Sequence, residues 1–170
     1  IPNRVLRIND STFSDCKALR SIVIGKRVTS IGVNAFYGCV ALSEVEIPNS
    51  VITIEVQAFF GCISLTTVDV PNSVTSIGGS AFYGCTQLYN VQFGEELISI
   101  GESAFENCFK LAAVVIPKNV THIGDYAFKN CWAVSFVKIP KSVNTIGAYV
   151  FDNFDEMLEK VKGYGAEYLI

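Results

Sequence analysis

The sequence predicts a repeat solenoid, with short parallel strands on one side and short helical turns and loops on the other. The first observation behind this prediction is that cysteine and phenylalanine each recur at one constant interval along the chain. The second is the motif AFYGC, which occurs at 35–39 and 81–85 and in five related forms elsewhere. A fixed period of roughly 20 to 50 residues indicates units that bury their apolar faces only by stacking on one another. The periodic residues are Cys16, Cys39, Cys62, Cys85, Cys108 and Cys131, and Phe13, Phe36, Phe59, Phe82, Phe105, Phe128 and Phe151.

Each repeat contains the pattern LxxVxI, and its last three residues predict a short strand with one face in the core. In one repeat the pattern is formed by Leu42, Val45 and Ile47. Strands that stack from repeat to repeat give a parallel sheet whose neighbours lie about 4.8 Å apart. A proline or glycine such as Pro48 or Gly94 follows each strand and is expected to end it.

Two columns of turn-forming residues predict how the chain bends between strands. Glycine, asparagine or aspartate precedes each cysteine, and these residue types tolerate a positive φ. The AFYGC motif is therefore expected to be a short helical turn with its phenylalanine in the core and a left-handed cap. A second column, to which Gly32, Gly78 and Gly101 belong, also predicts left-handed backbone, although Glu55 breaks the rule.

Composition places the chain among folded proteins and excludes two classes of partner. Half of the residues are hydrophobic, 17% are charged, and the net charge is −3 with a pI near 5.1. No basic footprint for nucleic acid is present. The longest uncharged apolar runs, such as 111–117, are far shorter than the roughly 20 residues of a membrane-spanning helix.

The repeats also carry a family resemblance. The unit VPNSVTSIGGSAFYGCTQLYNVQF at 70–93 resembles the BspA-type leucine-rich repeats, which occur in surface proteins of bacteria and of parasitic protists. Similar units extend from residue 1 to about residue 157. The resemblance implies a right-handed leucine-rich-repeat solenoid and, by analogy with known members, adhesion or the binding of host proteins. It names no ligand, since one fold serves unrelated partners.

The repeats predict one solenoid of about seven coils over residues 1–154 and a C-terminal cap over residues 155–170. The pattern decays near the C-terminus, where Phe154 replaces cysteine and Lys160 and Lys162 replace apolar residues. A cap is expected there because the open ends of a solenoid need cover. The first residues match the interior of a repeat, so we expect the sequence to be cut from a longer chain.

The even number of cysteines leaves two interpretations open. Equivalent cysteines of consecutive repeats could lie close enough for a disulfide. All six occupy the same position, however, and should point into the interior, where a thiol behaves as a small hydrophobic group. The sequence favours a buried column of free thiols. It contains no CxxC or Cys/His cluster of the kind that binds zinc.

No motif for catalysis or for cofactor binding is found. The only histidine, His122, is expected to point outward from a loop. The best group of carboxylates is Glu44, Glu46 and Asp69, but an acidic patch with few fixed oxygen ligands is more typical of a solvated surface than of a metal site. The sequence therefore predicts a domain without catalytic, cofactor-binding or metal-binding residues, and not an enzyme.

The outward positions of the predicted sheet change character along the chain. The first half is polar and acidic, whereas Tyr89, Val115 and Phe136 occupy positions that other repeats fill with polar residues. Contiguous exposed apolar side chains favour an interface, and binding energy concentrates in aromatic anchors. We expect a ligand to dock there, with the acidic residues Glu44, Glu46 and Asp69 steering a basic region of the partner.

A second candidate interface is a column directly after the buried phenylalanines, where Tyr37, Phe60 and Tyr83 stand on consecutive repeats. These rings either form an interface or shield the turns by packing on one another. The two interpretations are equally compatible with the sequence.

The predicted function is a non-enzymatic protein-binding or adhesion module of a cell-surface or secreted protein. Its partner would be a protein ligand such as a host or matrix protein, with no nucleic acid, membrane span or cofactor. One alternative is a spacer or scaffold region of a larger protein whose activity, for example as a hydrolase or in carbohydrate processing, lies in another domain. A cytoplasmic scaffold is a further alternative, which free thiols would allow.

Overall fold

In the computed structural model, which describes residues 1–151, the chain winds through six complete coils, each one repeat in length, and begins a seventh. We number the coils from residues 1–23, so that coil 2 is 24–46 and coil 6 is 116–138. Each complete coil contributes one strand of two residues and one of three, and every pairing is parallel between equivalent residues of neighbouring coils. The predicted solenoid of stacked parallel strands is confirmed.

The two-residue strands form one continuous seven-stranded sheet, which we call the short-strand wall. Its strands, in spatial as in sequence order, are β1 (Arg7–Ile8), β3 (Ser30–Ile31), β5 (Thr53–Ile54), β7 (Ser76–Ile77), β9 (Ser99–Ile100), β11 (His122–Ile123) and β13 (Thr145–Ile146). The sequence pattern does not predict this sheet, because a strand of two residues is too short to show alternation. His122 accordingly lies on strand β11 and not on a loop, although it is exposed as expected.

The three-residue strands lie where the LxxVxI pattern predicts them and form what we call the long-strand wall. They are β2 (Ser21–Val23), β4 (Glu44–Glu46), β6 (Thr67–Asp69), β8 (Asn90–Gln92), β10 (Ala113–Val115) and β12 (Phe136–Lys138). Unlike the short strands they pair only two at a time, as β2 with β4, β6 with β8, and β10 with β12.

The third side of the solenoid, which we call the turn wall, consists of residues 11–16 and their equivalents. No helix occurs within residues 1–151, so the predicted helical turns are not confirmed. Alternate N–H groups instead bond to the next coil: Phe36 N–H donates to the carbonyl of Ala58 (2.7 Å) and Gly38 N–H to that of Phe60 (2.8 Å). The other N–H groups of this stretch close tight turns within the coil. For example, the Cys39 N–H donates to the carbonyl of Phe36 (3.2 Å). An α-helix would direct all of these donors to the residue four positions earlier.

The residue before each described cysteine has the predicted positive φ. This confirms the left-handed cap of the turn, which glycine, asparagine and aspartate adopt most easily. The angles are 56° at Asp15, 65° at Gly38, 68° at Gly61, 69° at Gly84, 64° at Asn107 and 60° at Asn130.

The other glycine column was interpreted wrongly. Gly78 and Gly101 have no positive φ, which occurs two residues further on, at Ser80 (54°) and Ser103 (53°). Glycine is present for a different reason, because a methyl group on Gly78 would lie 2.5 Å from the backbone nitrogen of Val56 in the preceding coil. The column marks a close approach of backbones.

A continuous stack of rings runs through the core. The seven periodic phenylalanines, from Phe13 to Phe151, stack on one another with ring centroids 5.0 to 5.3 Å apart. The rings of Phe36, Phe59 and Phe82 are fully buried. Burial of this order contributes roughly 1.5–3 kcal/mol for each large apolar side chain.

The cysteines line the same core, and none of the six forms a disulfide. Five are buried, as predicted, and the sulfur of Cys62 donates to the carbonyl of Phe36 in the preceding coil (3.2 Å). Cys16, in the first coil, is exposed, contrary to the prediction that all six point into the interior. Burial removes the thiolate from water and raises the pKa of Cys39 to about 11 and that of Cys85 to about 12.

Two predictions concern residues outside the described range. The C-terminal cap at 155–170 lies there entirely, as do residues 152–154 of the predicted solenoid. Within residues 1–151 there is no helix of the length and apolarity that crossing a membrane requires.

Candidate binding surface

The structure brings the predicted apolar residues of the long-strand wall together in coils 4 to 6. Tyr89, Val115 and Phe136 are 53%, 49% and 40% exposed. Phe136 is paired directly with Ala113 across the sheet, and the Ala112 N–H donates to the carbonyl of Tyr89 (3.2 Å). We call this surface the apolar patch and define it by Tyr89, Ala112, Ala113, Val115 and Phe136.

The apolar patch has a low centre between two aromatic side chains. Coil 5 carries Ala112 and Ala113, whereas coil 4 carries Tyr89 and coil 6 carries Phe136. Coils are about 4.8 Å apart, so two aromatic side chains flank the small residues across about 10 Å. The alanine side chains are smaller than the aromatic side chains of the coils on either side, and Val115 of the same coil is exposed beside them.

The acidic half of the same wall lies in coils 2 and 3. Glu44 and Glu46 on β4 and Asp69 on β6 are exposed, as predicted. Val23, 74% exposed and paired with Glu46, is the one large apolar side chain exposed on the three-residue strands of coils 1 to 3. Within residues 1–151 no group of three or more histidine, cysteine, aspartate or glutamate side chains is arranged to hold a metal ion.

The alternative interface on the turn wall has a different geometry. Tyr37 stacks on Phe60 with centroids 4.8 Å apart, and Phe60 stacks on Tyr83 at 4.7 Å, with ring planes within 10°. The three side chains are partly buried, and they cover one another's faces. By contrast, Tyr89 and Phe136 join no ring stack in the described part of the chain.

A stacked aromatic pair with an exposed tryptophan lies where the turn wall meets the apolar patch, and the sequence pattern does not predict it. Trp132, 71% exposed, stacks on Phe109 with centroids 4.5 Å apart, where the turn wall leads into the long-strand wall. Three residues later the Ser135 N–H donates to the carbonyl of Ala112 in the patch (3.0 Å). The available signal was that Trp132 is the only tryptophan of the chain and follows a cysteine in a column where Lys17 and Thr86 also stand.

The short-strand wall shows no comparable patch within residues 1–151. The exposed apolar side chains just before its strands, Leu6, Ile52 and Ile98, alternate from coil to coil with threonines such as Thr29, whose hydroxyl donates to the carbonyl of Leu6 (3.1 Å). Ile146 on β13, in the last described coil, is also exposed. Apolar side chains that are exposed singly are normal for a soluble surface.

Comparison with known families decides the classification of the chain. The model of the BspA type leucine rich repeat region matches in six copies over residues 1–71 and 52–163. The chain belongs to the BspA-type leucine-rich repeat family. The resemblance identified in the sequence is thereby confirmed. No curated protein matches the chain.

Solved structures of similar proteins have the same solenoid. A leucine-rich repeat protein of T. pallidum is 29% identical over 96% of this chain and 78% of its own, with a TM-score of 0.86. A leucine-rich cell surface protein from Faecalibacterium prausnitzii is 28% identical over 94% of this chain and 55% of its own, with a TM-score of 0.61. The pneumococcal vaccine antigen PcpA, 19% identical over 93% of this chain and 37% of its own with a TM-score of 0.57, shares the fold alone.

The BspA-type repeat explains which residues carry information about a partner. Inward positions such as Val91 and Val114 are buried and apolar in the described coils, because the stacked core requires it. Outward positions on the long-strand wall differ between coils, and packing does not restrict them. The apolar patch is therefore a property of this chain and not of the repeat.

Proposed function

We propose that this BspA-type region is a non-enzymatic protein-binding module whose ligand docks on the long-strand wall. Tyr89, Val115 and Phe136 act as anchors, and Trp132 borders them. The observation that supports this proposal is the exposure of the apolar patch at positions that most other coils fill with polar residues, with Val23 of coil 1 as the exception at the position of Val115. Exposed apolar surface marks interaction sites, and aromatic anchors provide most of the binding energy when they are desolvated.

The rest of the wall suits the approach of a charged partner. Glu44, Glu46 and Asp69 lie on the same face at coils 2 and 3 and steer a basic region of the ligand toward it. Long-range attraction of this kind raises association rates and weakens with salt. The stacked phenylalanine core behind the wall holds the anchors on a frame that loses little freedom on binding.

Such a module would act at the cell surface or after secretion, with a host or matrix protein as its partner. Support comes from the similar protein of Faecalibacterium prausnitzii, which is described as a cell surface protein and of which this chain spans 55%. Adhesion follows from this location if the partner is fixed to a surface. A spacer or scaffold role in a larger protein is the rival, and it requires no ligand on the wall.

The test is a surface-binding assay of the 170-residue chain against a panel of host and matrix proteins. Replacing both Tyr89 and Phe136 by serine should weaken binding by at least about tenfold, because two aromatic anchors are lost. The matched control replaces Tyr37 and Tyr83 by serine on the turn wall and should leave affinity unchanged.

Circular dichroism checks that both variants remain folded. If only the control pair abolishes binding, the interface is the turn wall. If neither pair affects binding, the apolar patch is not the docking site, and the spacer interpretation is favoured when no protein binds at all.

A further inference from the structure

The charged residues of the chain are sorted along the solenoid axis. Residues 1–27 contain six lysines and arginines and two aspartates. Residues 28–109 contain no lysine or arginine but eight carboxylates, and residues 110–151 contain five lysines and one aspartate. The eight carboxylates are Glu44, Glu46, Glu55, Asp69, Glu95, Glu96, Glu102 and Glu106.

The long-strand wall shows this order in its exposed side chains. Coils 2 and 3 present Glu44, Glu46 and Asp69, and coils 4 to 6 present the apolar patch. Lys138, exposed and paired with Val115, lies at the far end. Arg20, exposed in coil 1, precedes the acidic part, so along the axis the wall is basic, then acidic, then apolar, then basic again.

We propose that the ligand is an extended segment with a basic cluster and an apolar anchor, lying along the solenoid axis across the long-strand wall. This inference rests on the proposed function and specifies its ligand. The basic cluster pairs with the carboxylates of coils 2 and 3, and the apolar anchor packs on Phe136. Charge complementarity sets the orientation of the ligand, because the opposite orientation places its basic cluster next to Lys138.

The structure also sets the distance between the two parts of the ligand. Phe136 is three coils from Asp69 and four coils from Glu44, or about 14 and 19 Å at about 4.8 Å per coil. An extended chain spans about 3.3 Å per residue, so about four to six residues should separate the basic cluster from the anchor.

A second copy of the chain fits this wall less well. A two-fold axis through its centre would place coil 6 against coil 1, so that Lys138 faces Arg20. The same arrangement would set the carboxylates of coil 2 against the alanines of coil 5. Like charges that face each other, and charges buried without a partner, both oppose association.

The probes for a test are fluorescein-labelled synthetic peptides with three arginines, a Gly-Ser spacer and a Leu-Trp pair. Their affinity for the 170-residue chain is measured by fluorescence anisotropy with spacers of about two, five and ten residues, chosen from the strand spacing. The five-residue spacer should bind tightest. The short spacer cannot span the two sites and should lose about tenfold, and the long spacer should lose about threefold through its lower effective concentration.

Two sets of variants separate position from net charge. Glu44→Gln, Glu46→Gln and Asp69→Asn together should remove the dependence on spacer length and reduce the five-residue peptide to the affinity of the shortest. The matched control, Glu95→Gln, Glu96→Gln and Glu102→Gln, makes the same change of charge at exposed residues outside the wall strands. It should change affinity by no more than about twofold, since exposed charges at a distance are screened.

Each outcome decides between the claims. The axial arrangement is overturned if affinity does not depend on spacer length, or if the control substitutions weaken binding as much as the substitutions of Glu44, Glu46 and Asp69. In that case, loss of binding in the Tyr89 and Phe136 double variant still supports the patch as the docking site. Absence of binding by every peptide overturns the basic-apolar ligand, and the assay with whole proteins still judges the proposed function. Loss of binding only in the Tyr37 and Tyr83 variant overturns both.

Discussion

The short-strand wall and the long-strand wall belong to the same coils but differ in the continuity of their strand pairing and in the variety of their side chains. All seven short strands join one sheet, and in each of them an isoleucine follows an arginine, serine, threonine or histidine. The six long strands pair only two at a time, with interruptions between β4 and β6 and between β8 and β10. The outward residues of the long strands include glutamate, aspartate, alanine and phenylalanine.

This difference shows where the solenoid is held together and where it is free to vary. On the short-strand wall, glycines such as Gly78 and Gly101 bring neighbouring backbones into contact, and coil-to-coil hydrogen bonds such as Gly78 N–H to Ile54 O (2.8 Å) follow. The long-strand wall differs in side chains from coil to coil because its outward positions face solvent and not the core. We infer that stability depends more on the first wall and recognition on the second.

The largest expected effect comes from truncating a buried residue on each wall. Ile77→Ala on the short-strand wall should lower the free energy of unfolding by about 2–5 kcal/mol, as is usual for such changes in a packed core. Val91→Ala on the long-strand wall removes less volume at a site that is 9% exposed, against 2% for Ile77, and should have a smaller effect. Urea unfolding at neutral pH measures both, and equal effects would break the comparison.

An intermediate effect is expected from a substitution at Gly78, one of two adjacent glycines of the short-strand wall. Gly78→Ala places a methyl group 2.5 Å from the nitrogen of Val56 and should lower the free energy of unfolding by about 1–3 kcal/mol, since the coils must separate.

Gly79→Ala is the matched control, because its methyl group would come no closer than 3.4 Å to the carbonyl oxygen of Glu102. That variant should be neutral or more stable by up to about 1 kcal/mol, through a less flexible unfolded chain. Thermal unfolding compares the two, and a Gly78→Ala protein as stable as the control would contradict the close-approach explanation.

The smallest expected effect tests whether the core between the walls stays closed. The pKa of Cys39 and of Cys85 is raised by burial from an ordinary value near 9 to about 11 and about 12. A pKa that is higher in the folded state stabilises the protein below about pH 9, and this contribution is lost as the pH rises through the folded values. The melting temperature in the presence of a reductant should therefore fall between about pH 9 and 12, and less steeply in Cys85→Ala.

A thiol reagent at pH 8 provides an independent measurement of the same core. Cys16 is exposed and should react at once, whereas the buried thiols should react only as fast as the protein opens. Rapid reaction of all six in the folded state would show that the coils separate easily on both walls.

Much of the fold could be predicted because the repeat displays each environment six or seven times. The columns of Leu42, Phe36 and Cys39 and their equivalents define the core without any structure. The short-strand wall escaped prediction because two residues cannot reveal a strand period. The glycine column was misinterpreted because a positive φ and a close backbone approach both select glycine, and only coordinates distinguish them.

The candidate site was predictable only in part. Tyr89, Val115 and Phe136 could be identified because they depart from columns that are mostly polar, although Val23 shares the column of Val115. Trp132 gave a weaker signal, because its column mixes the polar Lys17 and Thr86 with the apolar Val40 and Ile63. That Tyr37, Phe60 and Tyr83 cover one another's faces depends on ring orientation, which a sequence does not contain.

The hydrogen bonds that the turn wall donates to the next coil have an electrostatic consequence. In each complete coil up to coil 5 three N–H groups, as at Asn34, Phe36 and Gly38, donate to carbonyls of the next coil, so their peptide units align with the solenoid axis. Aligned peptide dipoles add, as they do in an α-helix. Here the carbonyls point toward the first coil, which makes that end the negative pole of the turn wall, the reverse of a helix. The six lysines and arginines of residues 1–27 gather at this negative pole and complement it, whereas the five lysines of residues 110–151 lie toward the positive pole, where cations are unfavourable. Only the first end of the solenoid therefore has side-chain charges that offset the field of the turn-wall backbone.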